Sequence, residues 1–462
     1  MIVPHNRYNE LKRNTIIIAI ANIGSKAISF ILAPLYSYYL TTSQYGTMDL
    51  VTTTIGLLMP LVCLDVYEAT FRFASEKDYD RRKVLSTSLL VVLPGFIILA
   101  AISIGALLFA SSPSIVIYMC AFLFLDSINQ ILSQFLRGEE HMRPFAVSGV
   151  INSVALLISN LIFLVLLRWE LNGWMISFLI GKLAMLFYCL VKIRIKDQFS
   201  FKYFDKDYLK IFIKYCIPLL PTAMMWWIMN ASDRYMLTFF IGTSVTGIYA
   251  VANKLPSIVS VFENVFYQSY QTSGINDLNN RNRDVFYSKV FNIYFSILSL
   301  GITFTLIFLK TLTVRLFDDA YSSAWTCTSI LLIAVLVHAL AGNLGSYYVI
   351  FKQTRGAFIT SAVGAITNII LNAIFIPFYG MVGAATTTLI GYLVTFFMRW
   401  KDIKKFVSFK LDTLNVIWCV SSIAIEIILY YIPGIISTSL RILIFCALLI
   451  KERNIVLGIL KH

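Results

Sequence analysis

The chain has 462 residues, of which 58% are hydrophobic and 13% charged, and its mean hydropathy is +0.77. Soluble globular chains carry about 25% charged residues, so this composition excludes that class. A transmembrane β-barrel is also excluded, because its strands alternate apolar and polar residues over about ten positions and the apolar runs here are about twice as long. The sequence therefore predicts an all-α polytopic membrane protein.

The first apolar run, 14–40, is long enough to span a bilayer but carries Lys26 near its middle. An ammonium at that depth costs roughly 2.5–3.5 kcal/mol even on insertion scales. At helical spacing Asn22 and Lys26 share one polar face, which should point to a wet or ligand-filled interior. Pro34 should bend the helix. No small-residue cleavage site follows, so we expect a retained helix and not a signal peptide.

The hydropathy pattern predicts fourteen spans in all. After the first run they cover 47–71, 84–109, 114–136, 144–167, 173–193, 215–240, 247–271, 287–309, 324–350, 358–377, 381–399, 413–432 and 437–450. The last residues, 451–462, are expected to form an amphipathic tail on the membrane surface.

The net charge of +14 could indicate a nucleic-acid partner, but the positions of the charges exclude it. Lys and Arg concentrate in alternate connections between spans, which is the positive-inside pattern, so both termini are predicted to be cytoplasmic. On the opposite side only four basic residues lie in connections or near span ends, and another four lie deeper within spans. The first four are Arg168, Lys310, Arg315 and Arg441, and the second four are Lys26, Lys182, Arg234 and Lys254.

An internal repeat divides the chain. TSQYG at 42–46 recurs as TSVTG at 243–247, and 143–164 aligns without a gap on 355–376. Two parallel six-span units related by an axis along the membrane normal are expected, with a transport site where they meet. The predicted domains are an N-terminal lobe (1–197), a basic cytoplasmic linker (198–213), a C-terminal lobe (214–400), and two extra helices with a tail (401–462).

Ionisable and polar side chains within spans are the candidate functional residues, because charges in a bilayer are costly. A purely structural role is the alternative to a functional one. It would be an intrahelical ion pair in the second span (47–71) and interhelical hydrogen bonding in the eighth (247–271). For coupling or gating the candidates are Asp65, Glu68, Asp126, Asp233 and Glu263. For substrate binding they are Asn22, Lys26, Arg72, Trp227, Asn230, Arg234, Asn253 and Lys254.

Other chemistry is not indicated. The seven cysteines lie in apolar runs without paired spacing, so inert thiols are predicted instead of metal ligands or disulfides. We find no phosphate-binding loop, metal-ligand cluster or nucleophile constellation, and the expectation is a protein without enzymatic activity, cofactor or metal. Lys182, His338 and Glu426 are isolated in the sequence and receive no role.

The segment RGAFITSAVGAITNIILNAIFIPFYGMVGAATTTLIGYL at 355–393 resembles the second-half signature of Wzx-type bacterial polysaccharide flippases, a branch of the MATE-like (MOP) superfamily. The matching features include Asn368, Asn372 and Gly380. The polar first helix with Lys26, followed by QYG at 44–46, is also similar. The likeness covers essentially the whole chain.

This resemblance implies two lobes around a cavity lined by basic residues, carried over here to Lys26, Arg234, Lys254 and Arg72. It implies flipping of undecaprenyl-pyrophosphate-linked oligosaccharides, as for O-antigen or capsule, across the bacterial cytoplasmic membrane by alternating access. A membrane potential or ion gradient would supply the energy. A polysaccharide polymerase and a chain-length regulator are implied partners besides the lipid bilayer, and nucleic acid is not one.

Other activities stay open. A lipid II-type flippase has the same pyrophosphate chemistry, although a richer basic stripe would be expected in its first helix. A multidrug or ion antiporter of the same superfamily would need an acidic cavity for cationic drugs. A membrane glycan polymerase would need a larger outer segment than 310–323. A structural scaffold would not favour buried Lys and Arg.

Overall fold

The computed structural model describes residues 24, 26–76, 78–107, 112–217, 220–260, 263, 283–351, 354–408 and 410–453. These residues are helical, with short connections and no strand in the ranges given. The helices are α1 (26–39), α2 (Thr42–Cys63), α3 (Val66–Ala74), α4 (Arg81–Leu107), α5 (Pro113–Gly138), α6 (Met142–Asn160), α7 (Glu170–Ile193), α8 (Ile195–Gln198), α9 (Lys206–Cys216), α10 (Leu220–Phe240), α11 (Thr243–Ala252), α12 (256–260), α13 (Arg283–Leu316), α14 (Trp325–Ile350), α15 (Thr354–Ile403), α16 (Thr413–Tyr431) and α17 (Ile435–Lys451).

Within the described ranges, nine helical segments are long and apolar enough to cross a membrane. The longest, α15, contains two predicted spans, 358–377 and 381–399, which meet at Gly380. Gly380 has φ 56° and ψ −135°, a conformation that a residue without Cβ adopts readily. The chain is an all-α multi-pass membrane protein, and the total of fourteen spans stays a prediction.

Two predicted spans are wrong as continuous helices. The span 47–71 is interrupted between α2 and α3, where Leu64 and Asp65 have left-handed φ values of 50° and 53°. The span 247–271 is interrupted after α11, since 253–255 form a turn before Pro256. Proline cannot donate the backbone hydrogen bond that a continuous helix needs at that position. Each interruption places a polar side chain, Asp65 or Asn253, at a helix end within an apolar segment.

The chain divides into two compact units. Unit 1 comprises Met1–Leu40 and Thr47–Trp227, and unit 2 comprises Thr41–Gly46 and Ile228–His462. The division into four ranges made from the sequence stays a prediction.

The basic segment before α10 folds against unit 1 through α9. Phe212 and Cys216 are buried on one face of this helix, whereas its lysines face outward. Asp205 caps α9 by accepting from the backbone N–H groups of Asp207 and Tyr208. A hydrogen bond from Lys83 Nζ at 2.9 Å, together with these caps, lowers the pKa of Asp205. The segment is therefore an ordered part of unit 1.

In unit 2, α14 and the two halves of α15 are joined by the buried Arg399. Its guanidinium donates to the carbonyl of Ala341 at 2.7 Å, to Ser361 Oγ at 2.8 Å and to Thr360 Oγ1 at 3.2 Å. Such bonds satisfy a charge that is only 2% exposed. Arg399 thus fixes the packing of the helices behind the site described below.

The repeated TSxxG segments cross one another in unit 2. A Cβ on Gly46 would overlap the carbonyl oxygen of Thr243, and a Cβ on Gly247 would overlap the carbonyl oxygen of Thr42. The hydroxyls of Ser43 and Thr243 lie 2.8 Å apart at the same crossing. Small residues allow helix backbones to approach closely in membranes, and this explains why glycine stands at both positions of the repeat.

Gly46→Ala should lower stability by about 1–3 kcal/mol, because backbone atoms on both sides must move to admit the methyl group. Thermal unfolding in detergent measures this change. Gly301→Ala is the matched control, since nothing lies within 4 Å of an added Cβ in α13 and helix propensity favours alanine by roughly 1 kcal/mol. Equal stability of the two variants would contradict the close crossing.

Candidate functional site

A polar cavity of about 200 Å³ lies inside unit 2, among α10, α11, α12, α14 and α15. Both charged and hydroxyl side chains line it, although its walls belong to apolar helices. The lining residues are Met229, Asp233, Arg234, Tyr249, Asn253, Ser257, Ser260, Leu331, Ala334, Val335, Thr388 and Tyr392. We call this cavity the unit 2 pocket.

Asp233 is the buried acid of the unit 2 pocket and is 3% exposed. Its Oδ2 accepts hydrogen bonds from the hydroxyls of Tyr249 at 2.5 Å and Thr388 at 3.2 Å. Its Oδ1 has no hydrogen-bond partner among the described residues. Arg234, the next residue, is its principal opposite charge. A carboxylate with one unsatisfied oxygen is suited to hold a proton or a small cation.

A hydrogen-bond network of amides and hydroxyls joins α10 to α15 directly behind Asp233. Asn368 Oδ1 accepts from Ser232 Oγ at 2.8 Å and from Asn372 Nδ2 at 3.1 Å, while Thr387 donates to Asn372. Asn368 Nδ2 reaches Thr388 Oγ1 at 3.4 Å. These side chains connect the helices by hydrogen bonds, which gives the two asparagines a packing role.

The turn between α11 and α12 supplies the opposite wall. Asn253 Nδ2 donates to the carbonyl of Tyr249 at 2.9 Å, and Ser257 and Ser260 follow on the same side of the chain. Because 253–255 are not helical, the pocket is lined here by amide and hydroxyl groups instead of aliphatic side chains. Of the residues proposed from the sequence, the structure thus brings together Asp233, Arg234 and Asn253.

The other predicted substrate-binding residues lie elsewhere. Lys26 is an exposed residue of α1 in unit 1. Arg72 forms an exposed ion pair with Glu76 at 2.7 Å. Trp227 donates from Nε1 to the carbonyl of Thr53 at 2.8 Å in unit 1. Lys254 is half-buried and does not line the unit 2 pocket.

Two further predictions cannot be placed. Asn22 and the side chain of Asn230 lie outside the described residues.

The predicted acids of unit 1 form local contacts. Asp65, at the break between α2 and α3, accepts from Tyr67 Oη at 2.7 Å. Glu68 is half-buried, and Arg137 is its opposite charge. The guanidinium of Arg137 lies 4.2 Å from the ring centroid of Phe71. These contacts do not include an ion pair of Arg72 with Asp65 or Glu68 in the described residues.

Asp126 on α5 is paired with Lys182 on α7, with Nζ and Oδ1 2.5 Å apart and both side chains about nine-tenths buried. Asn129, three residues after Asp126 on α5, donates to the carbonyl of Lys182 at 2.9 Å. The sequence made Asp126 a coupling or gating candidate but left Lys182 isolated, since the two residues are distant in the chain. The predicted gating role of Asp126 stays a prediction.

Glu263 pairs with His338 in unit 2. His338 Nδ1 lies 3.1 Å from Oε1 and 3.2 Å from Oε2 of Glu263. In the described part of the chain, no group of three or more His, Cys, Asp or Glu side chains could hold a metal ion.

Sequence reasoning missed Tyr249, Thr388 and Tyr392. The tyrosines are indistinguishable from the many aromatic residues of apolar spans, and Thr388 belongs to a run of three threonines. One sequence feature could have identified Tyr249. It lies four residues before the candidate Asn253 and therefore shares its helix face. Only the packing of α11 and α15 against α10 shows that they surround Asp233.

The fold is that of the MOP transporters. Lipid II flippase MurJ in an inward closed conformation superposes with a TM-score of 0.69 at 16% identity, over 96% of this chain and 100% of that one. An inward-facing MATE multidrug transporter superposes with a TM-score of 0.67 at 13% identity, over 85% and 96% of the respective chains. At such identities the likeness concerns the fold alone.

The chain belongs to the polysaccharide biosynthesis protein family, whose model matches residues 11–270. It is 22% identical over 458 residues to the probable low-salt glycan biosynthesis flippase Agl15 of Haloferax volcanii, with 94% of this chain and 93% of that protein covered. An uncharacterised membrane protein of Methanocaldococcus jannaschii is 22% identical over 410 residues, covering 84% and 96%.

Asp126→Asn or Lys182→Met alone should lower stability by about 3–5 kcal/mol, because each leaves a buried charge without its partner. The double variant Asp126→Asn with Lys182→Met should be much less destabilised than the sum of the two, since no charge then remains. Thermal unfolding of the four proteins in detergent measures the coupling. Additive losses would show that the pair contributes no mutual stabilisation.

Proposed function

We propose that this protein flips undecaprenyl-pyrophosphate-linked oligosaccharide repeat units from the inner to the outer leaflet of the bacterial cytoplasmic membrane. It acts as a transporter and not as an enzyme, by alternating access, with both termini in the cytoplasm. The glycan would be an O-antigen, a capsule or another surface polysaccharide, and a polymerase and a chain-length regulator would act on the product.

The observation that carries this proposal is Arg234, which lines a polar pocket among apolar helices. Ionisable residues within spans are functional candidates in membrane proteins. Lipid-linked sugar precursors present a phosphate group, the anion for which arginine provides two parallel donors. Membership of the polysaccharide biosynthesis family, and the glycan flippase among the relatives, support the same substrate class.

The size of the unit 2 pocket limits what it can hold. Its volume of about 200 Å³ is below the roughly 300–1,000 Å³ of sites for drug-sized ligands. A phosphate group fits this scale and a whole oligosaccharide does not. We therefore assign to the pocket the head of the carrier, with Arg234, Asn253 and Ser260 as hydrogen-bond donors.

Asp233 gives the pocket a means of coupling to an ion. While Asp233 is ionised it compensates Arg234, and the pocket has no net attraction for phosphate. A proton or a small cation on Asp233 neutralises the negative charge beside Arg234, so the phosphate binds more tightly. Such binding would link flipping to an ion gradient, and a membrane potential would add about 2.3 kcal/mol per charge moved through 100 mV.

A lipid II-type flippase is the second candidate, because its substrate also has a pyrophosphate-linked carrier. The unit 2 pocket recognises the shared group, and the sugar distinguishes the two substrates. A multidrug antiporter fits less well, since Arg234 would repel a cationic drug. Competition between the two lipid-linked precursors in one vesicle assay decides between the flippases.

Arg234→Ala should weaken binding of undecaprenyl pyrophosphate about 10- to 100-fold, because a charge-assisted hydrogen bond contributes roughly 1.5–3 kcal/mol. Flipping in reconstituted vesicles should fall in parallel. Arg234→Lys should retain part of the binding, since it keeps the charge but loses the planar donor pair. Arg315→Ala removes an exposed arginine of α13 and serves as the control. Unchanged binding by Arg234→Ala would overturn the assignment of the pocket.

Asp233→Asn should bind undecaprenyl pyrophosphate at least as tightly as the unmodified protein, since it lacks the negative charge beside Arg234. Its flipping rate should depend less steeply on an imposed ion gradient. Binding titrations and vesicle assays with sodium or proton gradients measure the two effects. A variant that keeps the full gradient dependence would exclude Asp233 as the coupling residue.

A further inference from the structure

The contact between Glu263 and His338 has the geometry of a shared proton. Both carboxylate oxygens lie within 3.2 Å of the same ring nitrogen, Nδ1. The Glu263 side chain is 10% exposed and that of His338 is 22% exposed. Gly342, one turn after His338, leaves space for the carboxylate, because an added Cβ would lie 3.0 Å from Glu263 Oε1.

The pair can change its charge by one without losing this contact. With a neutral imidazole, Nδ1–H donates to an ionised carboxylate and the pair carries a charge of −1. One further proton on the ring makes the pair neutral. Imidazole is the side chain whose ordinary titration falls between pH 5 and 8. The contact geometry is compatible with either protonation state of the ring.

The described charged and titratable groups around Glu263 and His338 do not fix the charge of this pair. Among the described residues, the titratable and charged groups near it are Tyr294 of α13, Tyr392 of α15, and Asp233 and Arg234 of α10. Tyr249 of α11, which donates a hydrogen bond to Asp233, is a further titratable group in this region. The tyrosines are neutral, and Asp233 and Arg234 oppose each other. No fixed charge in this set holds the imidazole permanently in one state.

Tyr392 connects the pair to the unit 2 pocket. Its ring centroid lies 4.8 Å from that of His338, with the two rings inclined at 61°. Tyr392 also lines the pocket beside Asp233 and Arg234. A change of one charge at the pair is thus separated from the pocket by a single aromatic ring, in a medium that screens it poorly.

We propose that Glu263 and His338 form a proton-binding site that controls the affinity of the unit 2 pocket for an anionic phosphate head. The proposal rests on the function proposed above for this pocket. The protonated pair is neutral and permits the phosphate to bind, whereas the deprotonated pair carries a negative charge that repels it. Because such coupling is reciprocal, phosphate binding must also favour proton uptake.

The first experiment follows the proton directly and needs no transported substrate. The protein, labelled with ¹³C at histidine ring carbons, is titrated by NMR in nanodiscs from pH 5 to 8.5. The signal lost in His338→Gln should titrate within this range. His141, on the surface and 3.6 Å from Glu139, provides a matched histidine–glutamate pair as an internal standard. A His338 signal that does not change over the range overturns the proposal.

The second experiment measures binding of undecaprenyl pyrophosphate at pH 5.5, 6.5, 7.5 and 8.5. The unmodified protein and His141→Gln should lose about five- to tenfold in affinity across this range more than His338→Gln or the double variant Glu263→Gln with His338→Gln does. Titration of the ligand itself affects all four proteins alike and cancels in this comparison. Identical pH profiles for all four proteins overturn the proposed coupling.

The two experiments separate the possible failures. If the unmodified protein does not bind the lipid at any pH, the proposed function is wrong, and the NMR titration still decides whether His338 exchanges a proton. If the lipid binds and its addition moves the His338 titration to higher pH, both proposals are supported. If the lipid binds without moving that titration, the proton site does not control the pocket.

Discussion

The structure depends on satisfying charged side chains within an apolar environment. A bilayer provides neither water nor counterions, so each ionised group in a span needs a partner from the protein. Asp126 has Lys182, Glu263 has His338, and Arg399 has a carbonyl and two hydroxyls. The positions of these partners determine which helix faces meet within each unit. Packing and electrostatics are thus inseparable in this fold.

The unit 2 pocket departs from this pattern of mutual satisfaction. Asp233 keeps one oxygen without a hydrogen bond in the described part of the chain, and Arg234 beside it lines a cavity instead of a packed surface. An unsatisfied carboxylate oxygen has an energetic cost in a bilayer, which a cation can relieve. This is the physical reason for assigning ion binding to Asp233. Arg234 is assigned to binding because it lines the cavity, and Arg399 to packing because its donors are occupied.

The two helix interruptions show where hydropathy alone is a poor guide. The sequence from 47 to 71 is apolar enough for a continuous span, yet Leu64 and Asp65 adopt left-handed conformations. After α11 the chain forms a turn at 253–255 and so lines the pocket with Asn253 and two serines. Hydropathy measures transfer into lipid and contains no information on local backbone geometry, so hydropathy by itself indicates neither interruption.

The sequence by itself determined the class of protein, the helical segments and the repeat, because long apolar runs, their interruption by charge, and glycine at matching positions are local properties. It also identified Asp233, Arg234 and Asn253 as costly or polar residues within spans. The tertiary structure alone decided the partners: Tyr249 and Thr388 for Asp233, Lys182 for Asp126, and His338 for Glu263. The chemistry of a charged side chain shows that it needs a partner in a membrane. Which residue becomes the partner depends on which distant helices pack together.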